Sequence, residues 1–428
     1  MMDGGGRSRS GHILFILALT NLVAYAARNA LFTVYPALTA QFGIDDAQIG
    51  LLQTVFMLSH ALATLPFGWA GDAYDRRKVI ALGVTLASVA GAAGAIGSSY
   101  VGLAATRALV GFGTAAVVPV ATSILAELFD GPNKASRMSI FNLGLFLGGV
   151  IGFGTGVAVG FPLVVIVLAA PGLLLAGLIL RLPLPVRVQA TPQVAWWRYL
   201  GPFLGRFRVE ARELLRIRTL RWLLVSATTM AFAAGGYNAW LKELLVRSKG
   251  MSEAQATTLL MMCLGTGLSG ILLGGKLADV VHRRSPAGRM WTMVVSMAVT
   301  VPCAVVAILV PNGPALYVAG MATMCFISAY HAPMAATIDD LAPDGRRVAA
   351  QGLVIFMMHM IGTAPSSWVV GMISDQHGLE NAMWVPTVAL AVAAAAMAIA
   401  TRSFAADRVH HASEPSPATS GSDLLRSL

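Results

Sequence analysis

The chain has 428 residues; the apolar set AVILMFWYC makes up 56% and Asp, Glu, Lys and Arg only 12%. Soluble domains carry about 25% charged residues. A lipid span takes about 20 mostly apolar residues, so twelve would use roughly 240, close to the apolar content here. The mean hydropathy of +0.71 agrees. A soluble enzyme, a disordered chain, a secreted disulfide scaffold and a single-anchor receptor are excluded. The apolar runs are continuous rather than alternating, which excludes an outer-membrane barrel. The composition is that of an all-α polytopic membrane protein.

The apolar runs predict spans over Ile13–Ala37, Gln48–Gly68, Val79–Ser98, Val101–Leu128, Met138–Val159 and Pro162–Leu180. After a polar stretch come Trp222–Leu245, Ala256–Val280, Met290–Val310, Pro314–Ile338, Val348–Ile373 and Met383–Thr401. The expected domains follow. Residues 1–12 form an amino terminus, 13–180 one six-helix half, 181–221 a basic linker, 222–402 a second half and 403–428 a disordered tail rich in Ser and Pro. Arg7 and Arg9 before an apolar core, with Ala24-Tyr25-Ala26, imitate a signal peptide; an even span count fits better if the segment is retained. Trp196, Trp197, Phe203 and Phe207 among the linker arginines suit an interfacial helix on an anionic leaflet.

The net charge of +10 reads as positive-inside bias rather than as nucleic-acid binding. Arg76, Arg77, Lys78, Lys134, Arg137, the linker arginines, Arg283, Arg284, Arg289, Arg346 and Arg347 fall on one side. Only Lys242, Arg247 and Lys249 fall on the other. Both termini are therefore expected in the cytoplasm, in a cell (inner or plasma) membrane. Cys263, Cys303 and Cys325 lie in apolar runs, and no disulfide framework is expected.

One motif occurs twice. Gly68-Trp69-Ala70-Gly71-Asp72 precedes Asp75-Arg76-Arg77-Lys78; 207 residues on, Gly275-Lys276-Leu277-Ala278-Asp279 precedes His282-Arg283-Arg284. Both copies fall in the inner loop after the second span of a half. A single copy reads equally well as an ordinary basic loop; two at equivalent places point to duplication. Repeated halves point to alternating access, with substrate near midplane between them. Gly68, Asp72, Arg76, Arg77, Gly275, Asp279, Arg283 and Arg284 are the expected gating residues. Their contacts between helix ends should form with the cavity open outward and break when it opens inward.

The paired loops resemble the signature of the major facilitator superfamily. Gly50-Leu51-Leu52-Gln53-Thr54-Val55-Phe56, Arg107-Ala108-Leu109-Val110-Gly111-Phe112-Gly113, Ala126-Glu127-Leu128-Phe129, Ser136-Arg137-Met138-Ser139-Ile140-Phe141, His359-Met360-Ile361-Gly362 and Gly371-Met372-Ile373-Ser374-Asp375 resemble its spinster branch. The resemblance runs from about Asn21 to Asp375 and shares features with organic-anion symporters. It implies export of lysolipids and sphingolipid-like amphipaths. Ala27, Thr114 and Thr363 stand where relatives commonly carry acids, and Ala73 where they carry a base. The resemblance therefore leaves proton coupling weak or absent.

Few ionisable groups interrupt the spans. Arg28, His60 and Arg107 do so in the first half, where no Asp or Glu lies deep. A charge at the membrane centre costs about 2.5–3.5 kcal/mol on insertion scales, so such groups should face a wet cavity. The bland alternative ties each arginine to backbone carbonyls or lets it snorkel. Asn21, Tyr25, Arg28 and Asn29 form a polar stripe on the first span. Tyr237, Asn238 and Trp240 interrupt the seventh, Tyr330 and His331 the tenth, and His359 the eleventh. With Gln53 and Thr114 these are the expected substrate-lining residues. Membrane histidines usually serve packing, but three titrating near neutrality offer a proton route. Gly144, Gly148, Gly149, Gly152, Gly154 and Gly156, with Gly265, Gly267, Gly270, Gly274 and Gly275, allow close helix approach.

Gly270 to Lys276 has Walker-A spacing, but Leu277 replaces Ser or Thr and the run is an apolar helix. No catalytic residue, metal or cofactor is expected. The expected function is secondary transport of an amphipathic lipid or organic anion by a monomer. The alternatives are a drug or metabolite exporter of the same fold and a membrane sensor that does not transport.

Overall fold

The computed structural model describes residues 4–97, 99–129, 134–184, 205, 208–209, 211–342 and 347–413. The first half contains Gly4–Asn29, Asp46–Ala73, Arg76–Ala93, a broken fourth rod of Tyr100–Thr114 and Val117–Leu128, Lys134–Val159 and Leu163–Leu180. The second contains Arg218–Glu243, Glu253–His282, Gly288–Leu309, a broken tenth rod of Pro314–Ser328 and His331–Leu341, and an eleventh. That eleventh rod runs Arg347–Met357, a π-helical turn Met358–Thr363, then Ala364–His377; Trp384–Ser413 is the twelfth. Among the described residues, ten of these twelve rods are long and apolar enough to cross a membrane. The other two, Arg76–Ala93 and Arg218–Glu243, begin on arginines. Exposed Leu82, Leu174, Leu272, Leu273 and Leu309 form the apolar exterior that lipid requires.

The duplication is visible in helix caps as well as in the loops. Asp45 and Ser252 each cap their helix in a capping box with a glutamine three residues on, Gln48 and Gln255. Each box satisfies two backbone donors that a helix start leaves open. The breaks in the fourth and tenth rods are equivalent too.

The linker joins Leu180 to Arg218, so the face that carries it is called the linker face, and the opposite one the far face. At the far face a core passes from one half into the other. Phe32 packs on Tyr35 and on Phe153, and Tyr35 on Trp240, with ring centroids 6.1, 6.1 and 5.5 Å apart. The linker-face end of the first half has a separate core around Ile13, Leu17, Phe67, Ile80 and Ile124. The halves are thus welded at the far face and packed individually at the other.

Two glycines permit the weld. A Cβ at Gly50 would strike the backbone of Ser367, and one at Gly371 the backbone of Asp46. The second and eleventh rods therefore touch main chain to main chain.

The twelfth rod corrects one expectation. Residues 403–413 continue its helix rather than belonging to an irregular tail. Phe404 is buried, Ser403 bonds the Thr219 hydroxyl at 2.9 Å, and the Asp407 carboxylate accepts from the Thr219 amide at 2.7 Å. An acid on the open amides of the seventh helix is favourable there. The linker aromatics Trp196, Trp197, Phe203 and Phe207, and residues 414–428, lie outside the described residues.

Gly371→Val should part the second and eleventh rods, since overpacking of this kind costs about 1–3 kcal/mol. A cysteine introduced at Ala47 should then react several-fold faster with a membrane-impermeant maleimide. Unchanged labelling in a monodisperse variant would contradict the contact.

Candidate functional site

The polar stripe of the first rod meets the second and fourth rods in one cleft. Its lining includes Asn21, Tyr25, Arg28, Phe56, His60 and Thr114. Phe56, itself buried, is the hub. The Arg107 guanidinium carbon lies 4.7 Å from its ring centre and that of Arg28 6.0 Å away. Arg28 also lies 5.9 Å from the Tyr25 ring. The negative ring faces offset part of the charge, each contact worth up to about 2 kcal/mol when desolvated. His60 stacks on Phe56 at 6.0 Å, and its Nδ1 lies 3.2 Å from Thr114 Oγ1.

Across the cleft stands His359, its ring 6.4 Å from that of His60. The π-helical turn places it there; such turns are frequent at functional sites. Arg28 Nε, Arg107 Nε, His359 Nδ1 and Asn21 Oδ1 have no hydrogen-bond partner among the described residues. Arg107 donates to Gln53 at a long 3.5 Å. Among the described residues no carboxylate pairs with either arginine. The cleft is cationic, aromatic-walled and rich in unspent hydrogen-bonding capacity, which suits an anionic group.

Asn29 and Asn238 meet across the halves at 3.4 Å. The other expected lining residues lie elsewhere. Tyr237 bonds Thr387 at 2.5 Å and borders an apolar cavity inside the second half. Trp240 is fully buried, its indole donating to the Ser367 carbonyl at 2.9 Å. His331 packs on Tyr330, with ring centroids 4.2 Å apart. Tyr237, Trp240, Tyr330 and His331 are therefore not in the cleft lining around Arg28, and Arg107, on the other side of Phe56, borders a separate apolar cavity of the first half.

On the linker face the arginines pair within their own halves. Arg76 grips Glu127 with two hydrogen bonds of 2.7 and 3.1 Å. Arg77 binds Asp75 at 2.8 Å, and this guanidinium holds the Asp75 carboxyl below the usual carboxylate range. Both partners belong to the first half. In the second half Arg289, not Arg283 or Arg284, takes the equivalent role. It binds Asp340 at 2.7 Å, and Arg76–Glu127 and Arg289–Asp340 share a sequence spacing of 51 residues. Arg283 and Arg284 are exposed; a longer loop after Asp279 moves the pairing arginine further along. Asp279 approaches Arg289 at 3.5 Å. A Cβ at Gly68 would just reach Pro119, and one at Gly275 would crowd the Ala332 methyl. The Asp72 side chain lies outside the description.

No sequence motif marks the latch at the far face. Asp46 and Arg247 form a two-bond pair of 2.8 and 2.9 Å. Ser374 donates to the same carboxylate at 2.5 Å. Asp375 accepts from the amides of Asp46 and Ala47 at 3.0 and 2.9 Å, so an acid of one half caps the second helix of the other. Lys242 donates to the Thr33 carbonyl at 2.8 Å and pairs with Glu253 at 2.6 Å. The adjacent charges Lys242-Glu243 at the end of an apolar run were the available signal.

Residues 17–288 match the family model described as Major Facilitator Superfamily. Protein spinster homolog 3 of Danio rerio is 28% identical over 401 residues, covering 87% of this chain and 78% of the relative. Protein spinster homolog 1 of Mus musculus is 27% identical over 405 residues, covering 88% and 75%. A bacterial homolog to the human lysosomal transporter Spinster, solved in an inward-facing and unoccupied conformation, superposes with a TM-score of 0.80 at 21% identity over 94% of this chain and 98% of that one. A mutant form of the nucleoside transporter NupG gives 0.73 at 13% identity, over 93% and 99%.

Asp375→Asn removes the charge from the interhelical cap. Charge-assisted hydrogen bonds are worth about 1.5–3 kcal/mol. The open fraction of the far face should rise roughly tenfold or more, read as a longer distance between spin labels at Gln41→Cys and Ala254→Cys. An unchanged distance distribution would show that the cap does not hold the halves.

Proposed function

Because the chain belongs to the Major Facilitator Superfamily and is a multi-pass membrane transporter, we propose that it carries an anionic amphipath, a lysophospholipid or sphingolipid-like molecule or an organic anion. The headgroup binds at Arg28. The observation that carries this reading is an arginine between two aromatic rings, facing a cleft that also holds Asn21, His60 and Thr114, with no carboxylate beside it among the described residues. A phosphate or carboxylate relieves that uncompensated charge. His60, His359, Gln53 and Arg107 complete the headgroup site, and the apolar walls of the spans accommodate a chain.

In this reading the linker face is cytoplasmic, as are both termini, because the basic residues gather there. The protein acts as a monomer in the cell membrane. The far face is the outer one, and the latch around Asp46 closes it while the cavity communicates with the inside. Transport exchanges this arrangement for one closed on the linker face, where Asp72 and the paired arginines of the two loops make their contribution.

Binding is tested with radiolabelled lysophosphatidylglycerol. Arg28→Ala should weaken it at least tenfold, the scale of one lost charge-assisted contact of about 1.5–3 kcal/mol. Arg28→Lys should recover part of it, since the planar fork is lost. Equal affinity in Arg28→Ala would place the headgroup elsewhere.

Coupling to protons is weak or absent in this reading. Ala27, Thr114 and Thr363 cannot carry protons, Glu127 is committed to Arg76 and Asp340 to Arg289. The expected flux into proteoliposomes follows the substrate gradient and changes little under an imposed proton gradient. Strong uphill accumulation that survives replacement of His60, His331 and His359 would contradict it.

A further inference from the structure

Glu243 is an acid the transport reading does not use. It ends the seventh helix, is 3% exposed, and its Oε1 has no hydrogen-bond partner among the described residues. The neighbouring cations are committed. Lys242 lies 3.9 Å from Glu243 Oε1 but 2.6 Å from Glu253 and 2.8 Å from the Thr33 carbonyl. Arg247 is bound on both nitrogens by Asp46. Lys242 and Arg247 still bear on Glu243 as cations, and Glu253 and Asp46 oppose them as anions. Tyr35, whose buried hydroxyl also lacks a partner among the described residues, is the near neutral group.

A buried carboxylate with an orphaned oxygen is costly as an anion. A proton removes the charge and converts one oxygen into a donor. We propose that Glu243 is a proton-binding site, filled while the outer face is closed and emptied when it opens. This rests on the alternation between closed and open outer faces stated above.

The balance is simple. On closure the Glu243 carboxylate takes one proton from the outer solution to become a carboxyl. On opening, the Lys242–Thr33 bond between the halves breaks, water reaches the group and the proton returns outside. The site therefore biases the conformational equilibrium without carrying protons across, in keeping with gradient-following transport.

The sign follows from linkage. If the closed state holds one more proton than the open state, raising the outer pH favours opening, by up to about tenfold per pH unit. The other acids of this face are already held: Asp46 by Arg247, Glu253 by Lys242 and Asp375 by the amides of Asp46 and Ala47.

The test uses full-length protein in vesicles, with Cys263, Cys303 and Cys325 replaced by alanine and spin labels at Gln41→Cys and Ala254→Cys. Between pH 5.5 and 8.5 the parent should gain the longer distance as pH rises. Glu243→Gln should hold the short distance across the range, its open-to-closed ratio changing less than twofold. Glu243→Asp should keep the pH response. The proposal is overturned if the parent does not respond, if acid opens the face, or if Glu243→Gln responds like the parent. Lysophosphatidylglycerol counterflow in the same vesicles separates this from failure of the transport reading. Counterflow with no pH response refutes the proton site alone; neither counterflow nor movement refutes both.

Discussion

Asp46 is where the two halves are tied. Its carboxylate takes the Arg247 guanidinium and the Ser374 hydroxyl, while its own amide donates to Asp375. A single residue thus joins the start of the second helix to the ends of the seventh and eleventh. The tie is possible only because Gly50 and Gly371 let the second and eleventh backbones meet. Behind it lies the Phe32–Tyr35–Trp240 aromatic seam, all three rings buried. The buried Lys242 ammonium gains most from that packing in its cross-half contact on the Thr33 carbonyl, since charges interact more strongly in a low dielectric, while its partner Glu253 stands half exposed. The latch therefore has a buried inner part, Asp46 and Lys242, and a solvent-facing outer part, Arg247, Glu253 and Asp375.

The cleft at mid-depth depends on this closure. Thr54 donates to the Ala364 carbonyl at 2.6 Å, just past the π-helical turn. That bond fixes the eleventh rod against the second and brings His359 opposite His60. Arg28, Arg107 and His60 then surround one phenylalanine, and the positive charge of Arg28 bears on both histidines. The rings replace the carboxylates that would otherwise pair with the arginines. Their quadrupoles moderate the charge without neutralising it, so the capacity to bind an anion is retained.

Much of this was legible in the chain. Continuous apolar runs announced the rods because lipid demands uninterrupted helices, and the stripe Asn21–Tyr25–Arg28 announced the cleft because polar groups at helical spacing in an apolar run need a wet surface. The repeated Gly–Asp loops announced the duplication. The misses have physical causes. The pairing arginine of the second half is Arg289 because loop length, invisible in a motif, sets which guanidinium reaches Asp340. Tyr237 and Trp240 turn into packing because which way a helix rotates is decided by its neighbours. The latch escaped notice because Asp46, Arg247 and Asp375 are far apart in sequence and each looks like an ordinary residue of a helix end.

In the transport reading proposed above, the latched far face is one of two states between which the protein alternates. This alternation is tested most directly by replacing the latch with a covalent bond, in Asp46→Cys with Ser374→Cys in a background free of other cysteines. Oxidation should abolish lysophosphatidylglycerol flux while leaving binding from the linker side intact, and reduction should restore the flux. A cross-linked protein that transports at the reduced protein's rate would contradict the account.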